Sequence, residues 1–299
     1  MQEPSPSSLQ SWLLAIRPKT LPAAVGPVVV GSGVAFGEGQ FSLLPALACL
    51  LGAMLLQIGV NLANDYFDYK NNIDSEERLG PVRVTQSGLI APSVVKMGMI
   101  ISLALASLVF IYLSFVGGPV IVVIGIASVL AALGYSGGPF PLASNGLGEV
   151  FVFIFFGLVA VGGTYFIQAG QLTWLAMVAA VPPGLLITAI MVVNNLRDID
   201  TDRKAGKRSL AVILGREGTI IEYKLLLLFS YIVPGALYIS GYCSAVILLP
   251  FLTLPMGLGL VRKITNESGR SLNAMLAATA RLSLLYSLLF GVGLVFGIS

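Results

Sequence analysis

A first group of polar residues lies where a long apolar stretch of the chain ends. Its members are Asn61, Asn64, Asp65 and Asp68. They are spaced i, i+3, i+4 and i+7, so a helix that continues through this segment places all four side chains on one face. Carboxylates stacked in this way repel each other, and we therefore expect a cation to lie beside them.

A second group repeats this pattern at the end of another apolar stretch. Asn194, Asp198 and Asp202 recur at every fourth residue, and Asn195 shares their face. The chain contains no histidine, and carboxylate and amide oxygens suit hard cations, above all Mg²⁺. Because Mg²⁺ is usually held by one or two carboxylates together with substrate phosphates, the two groups predict two Mg²⁺ ions that clamp a diphosphate.

Basic residues surround both groups. Such charges can neutralise a phosphate that leaves during a reaction. Those after the first group are Lys70, Arg78 and Arg83, and those around the second are Arg197, Arg203, Lys204, Lys207 and Arg208.

The composition indicates which elements position these groups. Hydrophobic residues make up 56% of the 299 residues and charged residues only 10%, too few charges to cover the surface of a soluble protein of this size. The fold class that we predict is all-α, a polytopic membrane protein with nine transmembrane helices around a central cavity that opens at the cytoplasmic side. The predicted spans are 20–37, 41–63, 93–115, 118–136, 147–168, 173–193, 225–241, 244–261 and 273–297, with polar loops at about 64–92 and 194–224.

Nine spans place every basic residue except Arg281 on one face of the membrane. The positive-inside rule makes that face cytoplasmic, so the N-terminus lies inside and the C-terminus outside. Residues 1–19 then form a cytoplasmic segment with a short interfacial helix, and residues 20–299 form a single transmembrane domain.

Several function classes are excluded or disfavoured. The lack of histidine excludes Ser-His-Asp catalysis and zinc held by histidine. A net charge of +3 gives no nucleic-acid footprint, and nothing in the sequence indicates an obligate protein partner. A cation-coupled secondary transporter stays an alternative, although transporter sites lie near the membrane midplane and these carboxylates lie at one edge.

Motifs along nearly the whole chain resemble the UbiA superfamily of intramembrane prenyltransferases. The NDxxD core matches residues 64–68, and the DxxxD core matches residues 198–202. Further similarity lies at 17–22, 78–88, 135–139, 146–149 and 194–209, and it is greatest to the menaquinone-synthesis branch of the family.

This resemblance implies a magnesium-dependent aromatic prenyltransferase of the lipid bilayer, and from it we expect the protein in a bacterial plasma membrane. It would transfer a polyprenyl group from polyprenyl diphosphate to 1,4-dihydroxy-2-naphthoate with decarboxylation, giving demethylmenaquinol; the alternative acceptors are 4-hydroxybenzoate, haem and homogentisate. The implied catalytic residues are Asp65, Asp68, Asp198 and Asp202. The implied metal ligands are Asn61, Asn64, Asp65, Asp68, Asn194, Asp198 and Asp202. The implied diphosphate-binding or substrate-binding residues are Lys70, Arg78, Arg83, Gln86, Tyr135, Asn195, Lys204 and Arg208.

Overall fold

The computed structural model describes residues 6–71 and 79–298, and these residues form helices, apart from turns and one isolated bridge between Cys243 and Ile298. The segment Phe153–Val159, within the helix Gly148–Ala169, is a π-helix. The helix Ala245–Lys263 begins as a 3₁₀ helix over Ala245–Thr253. The helices are α1 (Ser8–Ile16), α2 (Pro22–Gly37), α3 (Leu43–Lys70), α4 (Pro92–Gly117), α5 (Pro119–Gly134), α6 (Gly148–Ala169), α7 (Trp174–Lys204), α8 (Leu210–Ile239), α9 (Ala245–Lys263) and α10 (Leu272–Gly297).

Among the described residues, seven helices are long and apolar enough to cross a membrane, and the number is eight if the bent pair Ser8–Thr20 and Pro22–Gly37 is one span. α5 is apolar but has only 16 residues. At a rise of about 1.5 Å per residue it is about 24 Å long, shorter than the ~30 Å hydrocarbon core of a bilayer. The fold is therefore that of a multi-pass membrane protein.

The prediction of two long polar loops, at about 64–92 and 194–224, was wrong because both loops are shorter than predicted. α3 continues to Lys70, α7 continues to Lys204, and α8 already begins at Leu210, although it is broken at Gly215, whose φ is 70° and ψ 175°. The asparagine and aspartate residues therefore lie on helices that extend past their apolar parts. α7 ends where Gly206 adopts a left-handed conformation with φ of 73°, a common way to stop a helix.

Close contacts between backbones hold the helices around the site. A Cβ atom on Gly33 of α2 would lie 2.9 Å from the carbonyl oxygen of Gly291 on α10. Gly157 of the π-helical segment and Gly184 of α7 approach each other as closely, since a Cβ on either would lie 3.0 Å from the other's Cα. Small residues at such crossings allow membrane helices to pack without large side chains between them.

The predicted N-terminal helix is present as α1. Ser7 and Gln10 form a capping box at its start, which satisfies two free backbone donors. Trp12 packs against α4, where a Cβ on Gly98 would lie 2.9 Å from its ring. This contact fixes α1 beside the end of α3 that carries the first polar group.

Candidate active site

A cavity of about 390 Å³ lies between α2, α3, α4, α5, α6, α7 and α10. One part of its wall is charged and polar, and the rest is apolar and aromatic. A diphosphate that carries a long hydrocarbon chain likewise has a charged part and an apolar part. The apolar lining includes Val28, Phe110, Leu113, Ile121, Ile124, Phe155, Phe156 and Ile167.

The two aspartates of the first group make different contacts. The Asp65 carboxylate accepts hydrogen bonds from the backbone N–H groups of Val84 (3.2 Å) and Thr85 (3.0 Å), and the residue is only 1% exposed. Asp68 lines the cavity and pairs with Arg83, whose Nη2 lies 2.5 Å from Oδ2. Asp65 thus holds the segment that delivers Arg83 to Asp68.

The two asparagines of the first group also have separate partners. Asn61 Nδ2 donates to the backbone oxygen of Ile16 at 2.8 Å and to Oγ1 of Thr20 at 2.9 Å. Asn64 Oδ1 accepts a hydrogen bond from Oγ of Ser136, which follows α5. The first group therefore joins the N-terminal segment and the end of α5 to α3.

The second group is organised around a buried arginine. Arg197 donates to both Asp198 oxygens, from Nε at 2.8 Å and from Nη2 at 2.6 Å. It also donates to Oδ1 of Asn194 at 2.9 Å and to Oδ1 of Asn273 at 2.8 Å. Asp202 pairs with Lys207 at 3.4 Å. Asn194, Asp198, Asp202 and Lys207 all line the cavity.

Tyr135 lies between the two groups. Its hydroxyl contacts the Met191 sulfur at 2.7 Å. Tyr135 also lines the cavity.

The donor set on the cavity wall fits Mg²⁺ in its chemistry. Carboxylate oxygens of Asp68, Asp198 and Asp202 and amide oxygens of Asn64 and Asn194 are hard ligands. Within the described part of the chain, no three acidic, histidine or cysteine side chains form a ready metal cage. Arginine and lysine pair with the carboxylates instead, which suits a metal that binds together with substrate phosphates rather than alone.

The site residues predicted from the sequence include some that line the cavity and some that do not. Asp65 and four other predicted side chains do not line the cavity, and Arg78 lies outside the described residues. Those four are exposed: Lys70, Gln86, Lys204 and Arg208. The predicted residues that line the cavity are Asn61, Asn64, Asp68, Arg83, Tyr135, Asn194, Asn195, Asp198 and Asp202.

Sequence reasoning missed two cations at the cavity, Arg17 and Lys19, and it named Lys207 only among the basic residues around the second group. Lys207 lines it beside Asp202, and Arg17 and Lys19 line it from the turn that precedes α2. Arg17 is the one described residue other than glycine with a positive φ, 55°, and such conformations cluster at functional sites. The spacing of Arg197, Lys204, Lys207 and Arg208 along the chain does not show which of these side chains turns inward.

Comparison with known proteins identifies the family. The model of the UbiA prenyltransferase family matches residues 24–285. The chain belongs to the UbiA prenyltransferase family. A solved relative described as a UbiA homolog from Archaeoglobus fulgidus bound to GPP and Mg²⁺ shares the fold, with a TM-score of 0.68 and 16% identity over 95% of this chain and 99% of that one.

Two curated members of the UbiA family are similar over almost their full length. The 1,4-dihydroxy-2-naphthoate octaprenyltransferase of Escherichia coli (strain K12) is 36% identical over 98% of each chain. The protein of the same name from Mycobacterium tuberculosis (strain H37Rv) is 37% identical over 97% of this chain and 99% of the relative. The protein is thus a membrane-bound prenyltransferase with the UbiA fold.

Proposed function

We propose that the protein transfers a polyprenyl group from polyprenyl diphosphate to 1,4-dihydroxy-2-naphthoate. The new bond joins a ring carbon to C1 of the prenyl chain, pyrophosphate leaves from C1, and the naphthoate carboxylate leaves as CO₂. The product is demethylmenaquinol, a precursor of menaquinone. The observation that carries this proposal is the near full-length similarity to two proteins named for this acceptor.

The cavity wall supports a magnesium-dependent reaction. We propose that Asp68, Asp198 and Asp202, with Asn64 and Asn194, hold two Mg²⁺ ions against the diphosphate. When bound, these ions stabilise the negative charge of the leaving pyrophosphate. The spacing predicts Asn61 and Asp65 as further ligands. Their contacts are with the N-terminal segment and with residues 84–85, so we propose that Asp65 anchors residues 84–85 rather than the metal.

The chain's own side chains orient and shield the reactants. Arg83 and Lys207 line the polar part of the cavity and would bind phosphate oxygens by charge-assisted hydrogen bonds. Phe155, Phe156 and Ile124 line the apolar part. They would exclude water, which otherwise captures an allylic cation before the aromatic ring does.

The membrane arrangement that we propose has nine spans in a single domain over residues 20–299. Helices coincide with all nine predicted spans, including the short α5, which supports this number. The charge distribution supports a cytoplasmic N-terminus, a C-terminus on the opposite side and a cavity that opens toward the cytoplasm of a bacterial plasma membrane.

An acceptor-competition assay tests this function. The purified full chain in lipid nanodiscs receives Mg²⁺, labelled polyprenyl diphosphate and either 1,4-dihydroxy-2-naphthoate or 4-hydroxybenzoate. We expect prenylated product and CO₂ from the naphthoate alone. Asp202→Asn is the inactive control, and Asp200→Asn is its matched partner, since the Asp200 side chain is 82% exposed on the same helix.

Each other outcome has a defined meaning. Product from 4-hydroxybenzoate alone would overturn the acceptor and keep the prenyltransferase chemistry. Product from neither acceptor, in protein that still binds the diphosphate, would overturn the proposed reaction and direct the search to haem or homogentisate as acceptor.

A further inference from the structure

Glu149 is a buried carboxylate that the proposed chemistry does not use. It lies in the first turn of α6, is 4% exposed and does not line the cavity. Within the described residues, no lysine or arginine lies within ion-pair distance of it. Burial of a carboxylate without a countercharge is costly, so its position calls for a reason beyond packing.

The partner of Glu149 is Asn195 on α7. Nδ2 of Asn195 donates to Oε1 of Glu149 at 2.6 Å, and both residues are buried. Oε1 of Glu149 accepts this hydrogen bond, and of the two ends of an amide only the nitrogen donates. Glu149 therefore fixes which way the Asn195 amide is turned, with its nitrogen toward α6 and its oxygen away from Glu149.

The side-chain oxygen of Asn195 differs in its hydrogen bonding from the side-chain oxygens of Asn194 and Asp198. Asn195 lines the cavity, and Oδ1 accepts no hydrogen bond from the residues that the structure describes. By contrast, Arg197 donates to both oxygens of Asp198 and to Oδ1 of Asn194. On this face of α7, Asn195 presents an amide oxygen that is oriented in advance and is not engaged by the arginine.

We propose that Glu149 is a positioning residue that holds Asn195 Oδ1 as a ligand for the divalent cation that binds with the diphosphate. This proposal rests on the proposed metal-dependent function. Carboxylates that hydrogen-bond to a metal ligand fix its orientation and make it more basic, and their loss commonly lowers metal affinity or activity about 10- to 100-fold. Asn195 would then act with Asp198 and Asp202, which lie three and seven residues further along the same helix.

Four variants of the full chain in nanodiscs test the assignment. Glu149→Leu removes the acceptor, and Glu149→Gln makes both orientations of the amide possible. Asn195→Asp alone sets two carboxylates against each other. The double variant Glu149→Gln/Asn195→Asp restores one donor and one acceptor with an oxygen still free for the metal. The matched control is Glu38→Gln, a half-buried carboxylate at the end of α2 that accepts a hydrogen bond from Tyr165 and does not line the cavity.

The readout is Mn²⁺ binding in the presence of inorganic pyrophosphate, followed by the electron paramagnetic resonance signal of free Mn²⁺. It requires no acceptor and no turnover. We expect Glu149→Leu to raise the Kd for Mn²⁺ at least about 10-fold and Glu149→Gln to raise it less. Asn195→Asp alone should weaken binding, the double variant should bind more tightly than either single variant, and Glu38→Gln should leave the Kd unchanged.

Two results would overturn the inference. One is an unchanged Mn²⁺ Kd in folded Glu149→Leu, which would leave Glu149 as a residue that only stabilises the start of α6. The other is failure of the double variant to recover binding when both single variants have lost it. Wild-type protein that binds Mn²⁺ with pyrophosphate but forms no product from the naphthoate would instead count against the proposed acceptor.

Discussion

The two aspartate groups have similar spacing in the sequence but different surroundings in the fold. In the first group, Asp65 and Asp68 take their partners from residues 83–85, which follow α3 after an intervening segment. In the second group, Asp198 pairs with the adjacent Arg197, and Asp202 pairs with Lys207 five residues later. One aspartate of the first group faces the cavity, compared with two of the second. Similar helical spacing thus places Asp65 against a loop, whereas Asp68, Asp198 and Asp202 reach the cavity.

The largest effect should come from a cavity carboxylate of the second group. Asp202→Asn keeps the shape of the side chain but removes a negative charge that would hold the metal ions. We expect kcat to fall by about 100- to 1,000-fold, as on removal of one group that stabilises a transition-state charge. Asp200→Asn should retain near wild-type kcat in the same assay. Equal losses in both variants would show that position on the helix face is unimportant.

The corresponding substitution in the first group, Asp65→Asn, should lower the stability of the fold. Asp65→Asn replaces an acceptor that serves two backbone N–H groups by an amide with one acceptor oxygen. At least one buried N–H group of Val84 or Thr85 then loses its partner, at a cost of about 1–3 kcal/mol. We expect a lower apparent Tm and faster proteolysis between α3 and α4. An unchanged Tm with full loss of metal binding would show that Asp65 is a ligand and not an anchor.

Lysine substitutions distinguish inward from outward charges. Lys207 lines the cavity beside Asp202, whereas Lys204 is exposed at the end of α7. Lys207→Met should raise KM for polyprenyl diphosphate about 10-fold, the loss expected from about 1.4 kcal/mol of a charge-assisted contact. Lys204→Met should change it less than about twofold, as is typical of an exposed charge. Equal effects would indicate that the exposed end of α7 closes over the diphosphate.

A small effect is expected where the loop of the first group touches the second group. A Cβ on Gly80 would lie 2.7 Å from Nη2 of Arg197, and Asp198, Asn194 and Asn273 hold that guanidinium in place. Gly80→Ala should displace it and lower kcat severalfold. Gly259→Ala is the matched control, since nothing lies within 4 Å of its Cβ position. An unaltered kcat in Gly80→Ala would show that the two groups work independently.

The helical spacing of the polar groups and the long apolar runs were enough to predict an all-helical membrane fold and the residues of α3 and α7 that face the cavity. The sequence did not show that Asp65 binds a backbone turn, because that contact joins residues 19 and 20 positions apart. Nor did it separate Lys207 from Lys204, since the turn at Gly206 decides which of them points inward. Helical periodicity does not show long-range contacts or local chain reversals, and these determine which polar side chains reach the cavity.

The central claim is that Asp65 of the first group anchors the segment before α4, whereas Asp202 of the second group is a metal ligand. The most direct measurement compares Asp65→Asn with Asp202→Asn for Mn²⁺ affinity with pyrophosphate and for apparent Tm. We predict that Asp65→Asn keeps its Mn²⁺ affinity and loses thermal stability, and that Asp202→Asn does the reverse. Loss of Mn²⁺ affinity to the same degree in both variants, with neither Tm changed, would contradict this division.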